Sequence, residues 1–97
     1  MQNRSTSKSC SPWVDIFSEP YFQGPMIRLR GRFAKAATTF PNLPVVRSII
    51  VGPDTTAKLS GRKQSRPIQL SARTVLADTT RLTRGRNVRS LAVVGGN

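Results

Sequence analysis

The sequence predicts an all-β domain in which two Greek-key motifs pack face to face as a β-sandwich, with short helical turns in the connections. The chain contains short segments of alternating or continuous apolar residues, separated by turns rich in proline and glycine. It also matches itself at an offset of 42 residues, most clearly where VRSIIV (46–51) aligns with VRSLAV (88–93). Helical patterns extend over one or two turns only, which is too short for independent helices.

Two strands are expected early in the first half. WVDIF (13–17) alternates along its length and is rich in residues that favour strands. MIRLRGRF (26–33) alternates apolar residues with arginines, which predicts a half-buried strand with one solvated, arginine-bearing side. The apolar side of this second segment comprises Ile27, Leu29 and Phe33.

Later segments repeat the same kinds of pattern. VVRSIIV (45–51) is a short apolar run between Pro44 and a Gly-Pro-Asp turn, and VRSLAVV (88–94) ends at two glycines. Both runs predict strands. FAKAATTF (33–40) and VLADTTRL (75–82) space their apolar residues at helical intervals, which predicts one or two helical turns in each.

The domain organisation follows from these patterns. Residues 1–12 are basic and polar and contain no core-forming residue, which predicts a flexible basic N-terminal tail. Residues 13–96 form the expected domain, with one motif over 13–54 and a second over 55–96. At the 42-residue offset Phe17 aligns with Leu59.

The chain has no run of about 18 apolar residues that would predict a transmembrane helix. Its first 13 residues, MQNRSTSKSCSPW, lack the apolar centre of a signal peptide. A cytoplasmic protein is therefore expected.

The charge composition is strongly unbalanced. Sixteen Lys and Arg residues stand against four acids, which gives a net charge of +12 over 97 residues. A field of this sign attracts nucleic acid, acidic proteins or anionic membranes. The absence of histidine, the single cysteine and the scattered acids exclude histidine-based catalysis and zinc sites, and favour a protein that is not an enzyme and has no cofactor.

The stretch FSEPYFQG (17–24) contains a recognisable spacing: an aromatic residue, four residues, a second aromatic, one residue and a glycine. These residues are Phe17, Phe22 and Gly24. The spacing resembles the signature of the βγ-crystallin Greek-key motif. The resemblance implies a crystallin-like β-sandwich in which a hairpin folds back over its sheet on packed aromatics, and it assigns Ser48 and Ser90 to the serine position of the two motifs. An ordinary aromatic turn in another β-rich fold is the alternative.

The second half departs from this pattern. Its positions at the same offset are Leu59, Gln64 and Arg66, so the aromatic residues and the glycine are missing. The folded hairpin is therefore expected to be degenerate in the second motif.

The resemblance also raises the question of calcium, which microbial members of the family bind through an Asn/Asp-rich segment before the serine. Here the two segments read LPVVRS (43–48) and GRNVRS (85–90). Neither begins with Asn or Asp, and Arg47 and Arg89 stand where an oxygen ligand is needed. A guanidinium has no acceptor atom and repels a dication, so calcium binding is expected to be lost.

Arginine-rich segments are the remaining candidates for function, because arginine makes bidentate contacts to phosphate. The candidate polyanion-binding residues are Arg28, Arg30, Arg32, Arg62, Lys63, Arg66, Arg73, Arg81, Arg84 and Arg86. The sequence leaves several interpretations open. The chain is a crystallin-like structural or binding module with a basic surface, a nucleic-acid-binding protein, or a module with an acidic protein partner. A membrane surface is the least supported partner, because no lipidation motif or long amphipathic helix is present.

Overall fold

The structure is a computed structural model that describes residues 11–32, 37–61, 67–80 and 88–95. The described part of the chain contains eight strands, joined in the first connection by a single helical turn at Pro20–Phe22. The strands are β1 Trp13–Glu19, β2 Gln23–Arg30, β3 Ala37–Phe40, β4 Ser48–Val51, β5 Thr55–Gly61, β6 Ile68–Leu70, β7 Val75–Leu76 and β8 Val88–Gly95.

These strands form two four-stranded antiparallel sheets. The first sheet has the order β2-β1-β4-β7 and the second has the order β3-β8-β5-β6. The third strand of each half therefore lies in the sheet built by the other half, and the same strand order occurs twice. The prediction of an all-β sandwich of two Greek keys is confirmed.

The core lies between the two sheets. Every second residue of the central strands is buried there, as expected for strands with one face on a core. The first sheet contributes Val14, Ile16, Leu29, Ile49 and Val51, and the second contributes Ala57, Leu59, Leu70, Leu91 and Val93. Ile27, predicted to lie on the apolar side of β2, is still 45% exposed because β2 is an edge strand.

The register between the two halves differs from the uniform 42-residue offset. Ile16 pairs with Ile49 in the first sheet, and Leu59 pairs with Leu91 in the second. Ile49 and Leu91 are 42 residues apart and occupy equivalent positions in the two halves. Their partners Ile16 and Leu59 are therefore equivalent as well, although they are 43 residues apart. The expected match of Leu59 with Phe17 is wrong: a slip of one residue moves a side chain to the other face of the sheet, and the position equivalent to Phe17 is Ser60.

The helical prediction is wrong for the first half of the 75–82 segment and for 37–40, whereas Thr80, the last described residue of the 75–82 segment, is helical. Ala37–Phe40 is strand β3, and Val75–Leu76 is strand β7. Both strands are short and pair with a central strand of the opposite half, β8 and β4 respectively. Pairing across the sandwich has therefore outweighed a weak local helical pattern.

The hairpin between β1 and β2 folds over the outer side of the first sheet. The Tyr21 N–H donates to the Ala77 carbonyl at 2.8 Å, which brings the hairpin across to the strand at the far edge of the sheet. Tyr21 and Phe22 both have a left-handed backbone, with φ of 59° and 62°. Gly24 follows with φ of 75°, a conformation in which a Cβ would also approach Ser18 Oγ to 2.5 Å.

The Ser48 side chain connects this hairpin to the sheet through two hydrogen bonds. Its hydroxyl donates to the Glu19 carbonyl at 2.6 Å and accepts the Phe22 N–H at 2.9 Å. The rings of Phe17 and Phe22, both half-buried, meet edge to face at a centroid distance of 5.6 Å. Ser48 is itself fully buried, so one hydroxyl satisfies two main-chain groups of the bend.

The corresponding hairpin of the second half is shorter. Ten residues separate the paired Ile16 and Ile27, whereas eight separate the paired Leu59 and Ile68. Ser90 pairs with Ser60 in the position where Ser48 pairs with Phe17. The predicted equivalents Gln64 and Arg66 lie outside the described residues.

The packed part of the chain includes Pro12, which falls within the segment predicted to be a tail. Pro12 is buried, and its carbonyl accepts the Gly31 N–H at 2.8 Å.

Among the residues the structure describes, no helix has the length and apolar character needed to cross a membrane.

Replacing Ser48 by alanine should destabilise the protein by about 1–3 kcal/mol, because the change leaves a main-chain donor and a main-chain acceptor of the bend without their partner. Chemical denaturation monitored by Trp13 fluorescence measures this loss. The control is Thr39→Val, which removes an exposed hydroxyl on β3 and should change stability by no more than about 0.5 kcal/mol. Equal stabilities of the two variants would contradict the role given to Ser48.

Candidate polyanion-binding surface

A row of main-chain pairings across the first sheet connects arginines from separate segments. Trp13 pairs with Arg30 on β2, and the Gly52 N–H donates to the Trp13 carbonyl at 2.9 Å. On the far side, the Arg73 N–H donates to the Gly52 carbonyl at 3.2 Å. The row thus runs from Arg30 across the sheet to Arg73, over about 14 Å at the usual strand spacing.

The Trp13 ring packs against the main chain of Gly52, so that a side chain at position 52 would clash with the ring. A Cβ on Gly52 would approach the Trp13 ring atom Cε2 to 2.6 Å and Nε1 to 2.9 Å. The missing side chain of Gly52 therefore provides the space that the indole ring occupies.

A charged cluster forms beside the ring. The Arg28 guanidinium donates to both carboxylate oxygens of Asp15, with distances of 2.7 Å from Nε and 3.0 Å from Nη2. The same guanidinium stands over the Trp13 ring, with Cζ 4.0 Å from the ring centroid. Asp15 is only 6% exposed, so the cluster covers a carboxylate on the outer side of a central strand.

This pairing also affects the protonation equilibrium of Arg28. The hydrogen bond to Asp15 raises the pKa of Arg28 above its ordinary value, burial opposes this shift, and the negative charge of Asp15 adds to it. Arg28 neutralises Asp15 and stacks on Trp13, so its charge is compensated within the cluster.

The row of paired residues that contains Asp15 is apolar on the side of β4 and β7. Asp15 pairs with Ile50, and Ile50 pairs with Val75. Ile50 is half-buried and Val75 is 61% exposed, so the floor of the face changes from charged at β2 to apolar at β7. The main chain of Tyr21 is bonded next to this apolar end, because its N–H donates to the carbonyl of Ala77, the residue that follows β7.

The structure distributes the predicted polyanion-binding residues unevenly. Arg28 and Arg30 lie on the outer face of the first sheet, and Arg73 lies in the turn at the opposite edge of that sheet, with its main chain bonded to Gly52. Arg32 lies beyond the end of β2, and its N–H donates to Thr38 Oγ1 at 3.2 Å near the second sheet. The other candidates, Arg62, Lys63, Arg66, Arg81, Arg84 and Arg86, lie outside the described residues.

Sequence reasoning missed the residues that organise this face. Trp13, Asp15 and Gly52 were not predicted as site residues. The alternation in WVDIF does place Trp13 and Asp15 on one side of their strand. Their meeting with Arg28 depends on the pairing register of β1 and β2, which the alternation leaves open.

The outer face of the second sheet is different in chemistry. Its central row corresponds to the Arg28–Asp15–Ile50–Val75 row and consists of Gln69, Lys58, Ala92 and Thr39. Lys58 is the charged residue of this row, and the other three side chains are small or neutral. Along this row, an arginine paired with a carboxylate on the first sheet is therefore replaced by a glutamine paired with a lysine on the second.

The two segments implicated in calcium binding by the resemblance are used for main-chain contacts between the halves. The Arg47 carbonyl accepts the Thr79 N–H at 2.8 Å, and the Arg89 carbonyl accepts the Leu43 N–H at 3.1 Å. Within the described ranges, no three His, Cys, Asp or Glu residues are grouped so that they could hold a metal ion.

Comparison with known proteins identifies the fold. No protein-family model matches the chain, and no curated protein matches it by sequence. Among solved structures it is similar to a chain from work on the "Evolution of the eye lens beta-gamma-crystallin domain fold", with a TM-score of 0.68 and 20% sequence identity over 91% of this chain and 90% of that chain. The protein therefore has the βγ-crystallin domain fold, as the spacing of Phe17, Phe22 and Gly24 predicted.

A double-mutant cycle measures the contact between Asp15 and Arg28. We expect Asp15→Asn and Arg28→Gln to show a coupling free energy on the order of 1–2 kcal/mol at low salt, because the pair is bidentate and one partner is buried. The coupling should shrink as salt is added, since Arg28 is 38% exposed. Additive effects of the two substitutions would show that the pair contributes no net stability.

Proposed function

We propose that this protein is a non-catalytic module of the βγ-crystallin fold that binds polyanions, with nucleic-acid phosphates as the ligand, through its arginine-bearing surface and without calcium. The observation that carries the proposal is the row from Arg30 to Arg73 on the outer face of the first sheet. It joins two arginines that are 43 residues apart in the chain.

The charge balance supports this proposal. The four acids leave a net charge of +12, and two of them have local roles. Asp15 is neutralised by Arg28, and Asp78 accepts the Thr80 N–H at 3.0 Å and its hydroxyl at 2.6 Å. The field around the protein is therefore strongly positive and favours rapid association with a polyanion.

Arginine suits this task because its planar guanidinium makes two parallel hydrogen bonds to a phosphate. Arg30 is exposed on the edge strand, and Arg73 is exposed in the turn before β7. Contacts of this kind position a nucleic-acid backbone without reading its sequence. Binding is thus expected to depend on length and salt more than on base sequence.

Replacing Arg30 and Arg73 together by glutamine should weaken oligonucleotide binding and reduce the slope of log K against log salt by about two, because each phosphate contact releases about one counterion. Fluorescence anisotropy of a labelled oligonucleotide at several salt concentrations gives both quantities.

The matched control is Lys58→Gln with Arg89→Gln, which removes the same charge from the second sheet. This control should retain most of the affinity and the slope. Equal losses in the two double variants would show that only net charge matters. Binding by the unchanged protein that vanishes near about 150 mM salt would redirect the search to an acidic protein partner.

Calcium should have no effect on the protein. Because arginines stand at the expected ligand positions 47 and 89, millimolar calcium should leave the melting temperature unchanged relative to a chelator. Differential scanning calorimetry with magnesium as the control tests this expectation. A melting temperature that rises with calcium concentration and not with magnesium would overturn calcium-independent function.

A further inference from the structure

We propose that the outer face of the first sheet binds single-stranded nucleic acid, with Tyr21 as the platform on which a base stacks. This inference rests on the proposed function and specifies the form of its ligand. It follows from three features of the first sheet in the described residues: one strongly exposed aromatic residue whose main chain is bonded beside β7, an apolar pair on β4 and β7, and the arginine row.

Tyr21 is 69% exposed although it is a large aromatic residue. Its main chain is held in place, because its N–H donates to the Ala77 carbonyl and the neighbouring Phe22 N–H donates to Ser48 Oγ. Its left-handed backbone is a conformation that a bulky residue adopts only when its surroundings require it. The ring is thus displayed from a fixed backbone rather than from a mobile loop, which lowers the entropy cost of stacking.

The outer face of the sheet is apolar at β4 and β7, next to the main-chain anchor of Tyr21. Val75, 61% exposed, and the half-buried Ile50 occupy the row next to the folded hairpin. An apolar strip of this kind fits the face of a base or the edge of a sugar, and it has no hydrogen-bonding groups that would select one base. The strip therefore favours stacking without sequence preference.

Trp13 does not compete for this role. Its ring already contacts the Arg28 guanidinium at 4.0 Å and lies against Gly52. Its position between Arg30 and Arg73 nevertheless places the indole within the arginine row. Because it is the single tryptophan of the chain, its fluorescence reports on ligands that arrive at this face.

A double helix cannot use the apolar part of this surface. Its bases are stacked on one another, and it presents phosphates and groove edges to a protein. A single strand exposes the base faces, each of which can stack on an aromatic ring at a gain in affinity of about 5- to 100-fold. The combination of an exposed ring, an apolar strip and flanking arginines therefore favours a single strand.

The test compares a labelled oligothymidylate with a labelled duplex of the same length, by anisotropy and by Trp13 fluorescence. The variant is Tyr21→Asn, because asparagine tolerates the left-handed backbone at this position. Tyr21→Phe retains the ring and serves as the control. Val75→Glu is a second variant, which places a negative charge on the strip and leaves the hairpin unchanged.

We expect Tyr21→Asn and Val75→Glu to weaken single-strand binding by about 5-fold or more, with duplex binding unchanged for Tyr21→Asn and full affinity for Tyr21→Phe. Binding of both nucleic acids with no effect of Tyr21→Asn would overturn this inference and leave the proposed function standing. Absence of binding to either nucleic acid would overturn both. Equal affinity of the unchanged protein for a polyglutamate chain would overturn the inference in favour of an acidic protein partner.

Discussion

The hydroxyl of Ser48 is the interaction on which the functional face depends. It joins the Glu19 carbonyl to the Phe22 N–H and so fixes the hairpin over the first sheet. With the hairpin in this place, the Phe17 and Phe22 rings pack together, and Tyr21 is displayed at the border of the open face. The same contact therefore covers one end of the sheet and sets the border of the face that we propose as the binding surface.

The two halves of the molecule share a topology and differ in what they expose. Each sheet consists of three strands from one half and the third strand of the other half, which pairs at one edge. This exchange buries one continuous core between the sheets and leaves both outer faces free to diverge. The first carries a tryptophan, a buried carboxylate and arginines, whereas the corresponding row of the second contains one lysine among small or neutral side chains.

The sequence predicted the fold because its strands alternate clearly and because β4 and β8 keep a 42-residue offset. It could not predict the offset of β1 and β5, because the second hairpin is two residues shorter than the first while the segment from β6 to β8 is one residue longer than that from β2 to β4. Strand β3 was not predicted, because it forms by pairing with β8 of the other half and not from a local sequence pattern. At the site, Arg28 and Arg30 were found from alternation, but the contacts of Arg28 with Asp15 and Trp13 depend on strand register.

The most direct test of this account is a map of the ligand on the protein by NMR. An amide and indole ¹H–¹⁵N spectrum, recorded during titration with an oligonucleotide at physiological salt, reports which residues a ligand reaches. The account predicts that shift changes concentrate on the first sheet at Trp13, Tyr21, Arg30 and Arg73. Changes centred on Lys58 and Gln69 of the second sheet, or spread evenly over the molecule, would contradict the claim that one face carries the function.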